Sequence, residues 1–531
     1  MTFSNAEPHG YEEKQAPIMR EEDVAATGAA GDGKPTTTLR EDVAAVGLDK
    51  VYERHGRIDL IPLPSDDPHD PYNWSSWRKH VLLVQVAFHA MLGAFSAAAV
   101  IPSFETFVEE FGITITQASY FVSVPIIFLG VFPLLWSPIS KRIGRRPVLL
   151  ASALLSAAMH FAGAYTHSYG ALMTTRVFQA IFLSPPQSIG ANIVGEMFFQ
   201  HEKGAKLGVW TLFTSLGPPV APLIMGPLVY NTGTWRWTFW LLAIINLTQF
   251  VLYLFLAPET AGFVRPERGS DGTEAAKVVH ASKPKTPWWH LYFKFRRVSE
   301  DPWSQLPLEV VRPLAMVTKL PVLLPTVAYS VVFAYCNVLL TVEIPSLLGR
   351  KYGLNAQQVG LQFVGAVIGA ILGEIVAGTG SDWWMLWRTK RANGNREPEF
   401  RLPFAIPGVL LAAVGIIVFG IQLQNTAAGH WNVTPVIGVA IALFGTQLVT
   451  TVVYAYTVES QPAELQPRVP GFIAFARQLY AFTAPFYLNI PYENWGATRA
   501  SGMLAALAGG VGLICIVACL AFGRTWRARG I

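Results

Sequence analysis

Three features of this sequence predict an all-α membrane protein, with twelve transmembrane helices in two pseudo-symmetric six-helix halves. Charged residues make up 14% of the 531 and hydrophobic residues 52%, whereas a soluble domain carries about 25% charged residues. The charges are clustered, and between the clusters run apolar stretches of about 20 residues, the length a helix needs to cross a bilayer. One long polar interruption, 258–319, divides these stretches six and six. A charge at the bilayer centre costs roughly 2.5–3.5 kcal/mol on insertion scales, so sparse charge in long blocks is a membrane signature. Backbone in lipid must bond itself, and the alternation of barrel strands is absent.

The elements follow in order. Residues 1–78 are polar, rich in Pro, Gly, Thr and mixed charge; they cannot bury a core and read as a disordered cytoplasmic tail with no cleavable signal. Trp74, Trp77, Arg78 and Lys79 suit the membrane interface. Spans are expected at 80–101, 117–138, 147–166, 171–199, 207–230 and 236–257, forming an N-terminal half over 79–257. A cytoplasmic loop, 258–319, carries Arg265, Arg268, Lys283, Lys285, Lys294, Arg296 and Arg297. Its Trp288, Trp289, Tyr292 and Phe293 suit an amphipathic segment on the membrane surface. Spans at 320–345, 357–379, 402–423, 434–457, 470–490 and 500–523 make a C-terminal half over 320–523, and 524–531 is a cytoplasmic tail.

Orientation comes from the short loops. After spans 2, 4, 8 and 10 stand Lys141, Arg142, Arg145, Arg146, Lys203, Lys206, Arg388, Lys390, Arg391, Arg396, Arg401 and Arg468. The opposite loops hold four cations, Arg236, Arg350, Lys351 and Arg499. Twelve against four places both termini and the central loop in the cytoplasm. Asn432-Val-Thr434 is then a glycosylation sequon on the outer side, with Pro435 directly after it.

Several function classes are excluded or unsupported. No basic stretch is interleaved with exposed aromatics, so nucleic acid is not an expected partner. No phosphate loop of the G-x4-G-K-[ST] type is present, so ATP does not drive the protein. No zinc, Ser-His-Asp or paired-carboxylate pattern marks an enzyme, and neither cofactor nor metal is expected. Cys336, Cys515 and Cys519 lie in apolar runs and read as packing residues.

The two halves echo each other. After span 2 the chain reads Ser137-Pro-Ile-Ser-Lys141-Arg-Ile-Gly144-Arg145-Arg146, and after span 8 it reads Gly378-Thr-Gly-Ser-Asp382, followed by Arg388. Both resemble the G-x-x-x-D…R-R loop of the major facilitator superfamily, where the acid helps latch the halves on the cytoplasmic side. The first copy has Lys141 for the acid and Ser137 for the glycine. Span 4 holds Arg176-Val-Phe-Gln179-Ala, similar to the family's second motif, which implies a role for Arg176 in proton coupling; a structural arginine is the alternative. In span 5, Gly208, Gly217, Ala221-Pro222 and Met225-Gly226 resemble the antiporter pattern G-x8-G-x3-G-P-x2-G-G. Small residues there allow close helix approach and Pro222 kinks the helix; a tightly packed helix unrelated to direction is the alternative.

Other stretches resemble fungal twelve-span drug:proton antiporter-type transporters. These are Asp70-Pro-Tyr-Asn-Trp74, Leu256-Ala-Pro-Glu259-Thr260, Arg391 to Arg401, Ser184 to Asn192 with Glu196, and Phe486 to Gly496. The resemblance covers about 70–525. It implies a major facilitator fold with spans 1, 4, 7 and 10 around a central cavity.

An ionisable group inside a span is a functional candidate by default. Glu374 in span 8 is the best-placed carboxylate for carrying a proton, with pairing to Arg477 as the structural alternative. His89, four residues after Gln85 and on the same face of span 1, is a second candidate, a packing histidine being the alternative. His160 suggests no role. Gln85, Gln187, Asn192, Tyr335, Asn337, Gln447 and Tyr454 are candidates for the substrate cavity, since amides and phenols among aliphatics suit ringed molecules with few polar atoms; plain interhelical hydrogen bonding accounts for them equally. Glu196 suits pairing with a basic loop. Gly144, Arg145, Arg146, Gly217, Pro222, Gly226, Gly378 and Asp382 are the gating candidates.

The expected function is proton-coupled secondary transport by rocking of two halves, acting as a monomer in the plasma membrane or, alternatively, the vacuolar membrane. The span 5 pattern favours export of a small organic molecule such as a toxin, secondary metabolite or organic acid. A proton-driven importer of a polyamine, siderophore or other nutrient, and a non-transporting receptor, stay open as alternatives. The partners are substrate, protons and the bilayer.

Overall fold

The computed structural model describes residues 55, 60, 62, 64, 65, 67–263, 292, 302–462 and 464–529. The chain forms two compact units, Met1–Trp74 with Phe263–Thr286, and Ser75–Gly262 with Pro287–Ile531. Most of the expected N-terminal tail, and the loop aromatics Trp288, Trp289 and Phe293, lie outside the described residues.

The tail ends earlier than its expected limit at residue 78. Asp70 accepts from Ser65 Oγ at 2.7 Å and from Tyr72 N at 3.1 Å, capping the turn Pro71–Asn73. Span 1 then starts at Ser76. Trp77 is 78% exposed, as an interface residue would be, whereas Trp74 is buried and donates to His69 O.

Among the described residues the second unit is helical, and ten helices are long and apolar enough to cross a bilayer. They cover the expected spans 1–3, 5–10 and 12, as Ser76–Phe111, Ile115–Ile143, Arg145–Ala164, Glu202–Thr232, Arg236–Leu256, Leu320–Tyr352, Ala356–Arg391, Pro398–Asn425, Thr434–Glu459 and Ala497–Arg529. The other two are helical but interrupted or more polar. Span 11 is Val469–Tyr487, with Arg477 and Gln478 at its centre. Span 4 divides into Tyr169–Leu183 and Pro185–Met197.

That division has a covalent cause. Pro185 and Pro186 lack N–H groups, which orphans the carbonyls four residues back, those of Ile181 and Phe182. Trp136 Nε1 donates to Ile181 O at 3.1 Å and Ser152 Oγ donates to Phe182 O, so spans 2 and 3 satisfy the break. Span 7 holds two π-helical segments, Ala334–Val338 and Pro345–Gly349, a distortion often found at functional sites.

The outer surface is apolar, with Ile514 71%, Phe255 68% and Leu386 63% exposed. Water would penalise that surface and acyl chains solvate it. Inside, span 1 packs on span 5 and span 3 on span 6; spans 8 and 9 pack on span 10, and spans 7 and 9 on span 12. Between the two groups of six, span 2 meets span 11 and span 5 meets span 8, a two-fold pattern.

Candidate functional site

Glu374 sits where span 8 meets both span 10 and span 5. Gln447 Nε2 donates to its Oε2 at 2.8 Å and Thr451 Oγ1 at 3.1 Å, while Thr211 Oγ1 of span 5 lies 3.4 Å from Oε1. All three partners are neutral. Pairing with Arg477 is not what the structure shows: Arg477 Nη1 donates to Tyr329 OH at 2.9 Å instead. Thr211 can also donate to Leu207 O at 2.8 Å. A protonated Glu374 can donate across to the Thr211 oxygen, whereas an ionised one competes with Leu207 for the hydroxyl proton. Thr211 and Glu374 thus form one polar contact between the halves, beside the close backbone approach of spans 5 and 8.

Arg176 is fully buried among neutral acceptors. Its guanidinium donates to Phe121 O twice, at 3.1 and 3.0 Å, to Ala97 O at 3.0 Å, to Gln179 Oε1 at 3.1 Å and to Ser96 Oγ at 3.3 Å. Ser96 also meets His160 Nε2 at 3.0 Å, so the histidine to which the sequence suggests no role belongs to the arginine's surroundings. His89 lies in a different place: its Nδ1 is 3.1 Å from Tyr253 OH of span 6 and its Nε2 3.5 Å from Ser152 Oγ of span 3. The three proton-coupling candidates are thus not brought together. Gln85 lines a cleft between spans 1 and 6, beside Gln249 and Phe88, and its amide has no hydrogen-bond partner among the described residues.

The remaining polar candidates divide by helix. Gln187 is half-buried beside span 1, where its Nε2 closes on Gly93, and Asn192 is half-buried one turn further. Tyr335 and Asn337 fall in the first π segment of span 7, and Tyr335 OH lies 2.7 Å from Tyr480 OH of span 11. Tyr454 of span 10 packs edge-on to Tyr329 at 5.8 Å. Tyr480, Tyr329, Thr211 and Thr451 were not among the sequence candidates, because their partners lie on other helices, far away in the chain.

At the end predicted to be cytoplasmic, charges tie each group of six together. Arg145 donates to Glu196 at 2.9 Å, and Arg401 to Glu459 at 3.4 Å and Asp382 at 2.8 Å. Glu259 accepts from the backbone N–H of Arg145, Arg146 and Ala261 at 2.9–3.0 Å, sitting on the N-terminus of span 3. Burial pushes the Glu259 carboxyl up from its ordinary range, against the pull of those three donors. Gly144 has φ +103°, and a Cβ there would fall 2.5 Å from Glu259 Oε2, so this loop position requires glycine. Arg146 Nε and Nη2 cap the end of span 6 at Ala257 O and Leu254 O.

Asp382 differs from the expected latch between halves, because its partner Arg401 belongs to its own half. In the first copy Lys141 replaces the acid, and Arg142 next to it, fully buried, donates to Glu309 of the central loop at 2.8 Å. In span 5, a Cβ on Gly217 would meet span 1 at Met91 O, 2.8 Å away, and one on Gly226 would meet Ala356 O of span 8 at 2.6 Å. Pro222 O is the backbone atom that approaches Gly360. Gly378 has open space around it, so packing does not explain its identity.

Comparison with known proteins adds the family context. A family model described as Major Facilitator Superfamily matches residues 86–485, well over half of the chain. The chain is 26% identical over 438 residues to a cycloheximide resistance protein of Candida maltosa, covering 81% of this chain and 77% of that protein. It is 25% identical over 433 residues to a probable efflux pump, mfs2, of Aspergillus flavus, covering 81% and 98%. The crystal structure of a D-xylose-proton symporter shares the fold with a TM-score of 0.59 at 14% identity, covering 83% and 96%.

Proposed function

Because this chain belongs to the major facilitator superfamily and is a multi-pass membrane transporter rather than an enzyme, we propose that it is a proton-coupled antiporter exporting a small organic molecule. The observation that carries the proposal is Glu374, a buried carboxylate whose neighbours are neutral and come from both halves. An ionisable group among neutral partners inside the bundle is a candidate proton carrier. Protonation turns an acceptor into a donor toward Thr211 and so alters the contact between spans 5 and 8. A rocking transporter needs a contact of that kind if a proton is to bias which side is open.

Export is supported by the names of the relatives, an efflux pump and a resistance protein, and by the small-residue pattern of span 5. The proposed setting is the plasma membrane, with both termini in the cytoplasm and a monomer as the working unit. Cells expressing the chain are expected to accumulate less of an exported organic probe than cells without it; higher accumulation would reverse the direction. In proteoliposomes, Glu374→Gln is expected to abolish stimulation of flux by a pH gradient. Gradient-driven flux at the wild-type rate in that variant would remove Glu374 as the proton carrier.

A further inference from the structure

Two arginines lie about two turns inside their helices, and they are treated in opposite ways. Arg176 has all three nitrogens engaged, through five contacts to four acceptor atoms. Arg477 makes one side-chain hydrogen bond among the described residues, to Tyr329 OH, and its Nε is buried with no acceptor. Its hydrogen-bond partner is a phenol rather than a carboxylate. Its guanidinium lies 4.5 Å from the Phe333 ring centroid and 5.7 Å from that of Tyr329. Aromatic faces stabilise the positive charge but leave most of its N–H donors unused.

A guanidinium presents five donors in a rigid fork that matches a carboxylate edge to edge. Arg477 is half-buried, and its buried Nε is costly to leave without an acceptor. The remaining surroundings indicate what would bring that acceptor. One turn along span 11 from Arg477, Tyr480 pairs with Tyr335 of the π segment, and Tyr454 of span 10 stands against Tyr329. One cation and a set of phenol rings, drawn from spans 7, 10 and 11, are thus linked by direct contacts.

We propose that Arg477 anchors the cargo, and that the cargo is an organic anion: a carboxylate or acidic enol carried on a flat aromatic or polycyclic body. The oxyanion takes the Arg477 fork and the body lies against Tyr335, Tyr480 and Tyr454. This inference rests on the transporter reading and narrows it from any small molecule to an acid.

The test uses the full-length protein with matched probes: 2-naphthoate, anthracene-9-carboxylate and indole-3-acetate, each against its neutral amide. In detergent, at least one acid is expected to raise the unfolding temperature and its amide to have little effect. Arg477→Gln is expected to weaken acid binding at least ten-fold and erase the acid-over-amide preference, and Arg477→Lys to retain part of it. Equal stabilisation by acids and amides, no stabilisation by any acid, or an unchanged preference in Arg477→Gln each overturns the proposal. The wild-type comparison of acid with amide decides even if the variant fails to fold. Flux of the same probes into proteoliposomes separates the two levels: amides moved as readily as acids leaves the transporter intact and removes the anion site, whereas no flux of any probe counts against transport itself.

Discussion

Arg176 and Glu374 keep a charge-bearing group inside an apolar bundle by different means, and the difference predicts what substitution does. Arg176 is held by backbone carbonyls and small polar side chains from spans 1, 2 and 4. Lysine keeps the charge but offers a single nitrogen with three donors. Arg176→Lys therefore leaves at least one buried acceptor unbonded, at about 1–3 kcal/mol for each. A lower unfolding temperature of the purified variant, with pH-driven flux falling only in step with it, is the expected result. Loss of coupling at wild-type stability would instead give Arg176 a direct part in moving protons. The sequence marks both ions plainly, because any charge stands out among aliphatics. It does not mark their partners: Thr211 lies 163 residues from Glu374 and Phe121 55 residues from Arg176, separations that no local periodicity encodes.

At the level of helices, apolar length was readable because the bilayer imposes it, and most ends fall within a few residues of expectation. The interruptions were readable only where covalent chemistry causes them, as at Pro185 and Pro186. The π segments of span 7 depend on tertiary packing and left no sequence signal. Span 5 shows the same boundary: its glycines and Pro222 were legible as a pattern, but their partner on span 8 was not. There the backbones nearly touch, since a Cβ on Gly360 would fall 2.4 Å from Pro222 O and 3.2 Å from Gly226 Cα. Neither neighbour is a flexible side-chain end, so Gly360→Ala must push the helices apart, at about 1–3 kcal/mol for overpacking. Spin labels at the exposed positions Thr232 and Gln358 are expected to report a longer distance in Gly360→Ala than in the parent protein. An unchanged distance and unchanged transport would mean that the approach of spans 5 and 8 is not limiting.

Across the whole molecule, the charge ties repeat with the two-fold pattern of the packing. An arginine at the entry to the third helix of each half bonds a glutamate at the end of the fourth, Arg145 to Glu196 and Arg401 to Glu459. The entry to the third helix also meets the end of the sixth: Glu259 accepts from the backbone N–H groups of Arg145 and Arg146 in one half, and the Arg527 guanidinium donates to Glu399 at 2.6 Å in the other. These ties brace each half, which is what rocking as two bodies requires. They also gather charge at one end, the same end to which the count of twelve loop cations against four assigns the cytoplasm. Ionic ends stay in water on either side of the bilayer and cost little there, so the loop-cation count alone carries the proposed orientation. The native cysteines, Cys336, Cys515 and Cys519, are all buried, which leaves a low background for labelling with a membrane-impermeant maleimide. Single cysteines at the exposed positions His430, Asn395 and Thr525 then report the sides. In intact cells His430→Cys is expected to react, and Asn395→Cys and Thr525→Cys only after permeabilisation. Reaction of Asn395→Cys or Thr525→Cys in sealed cells would invert the molecule, and with it the direction in which a proton gradient could drive the cargo.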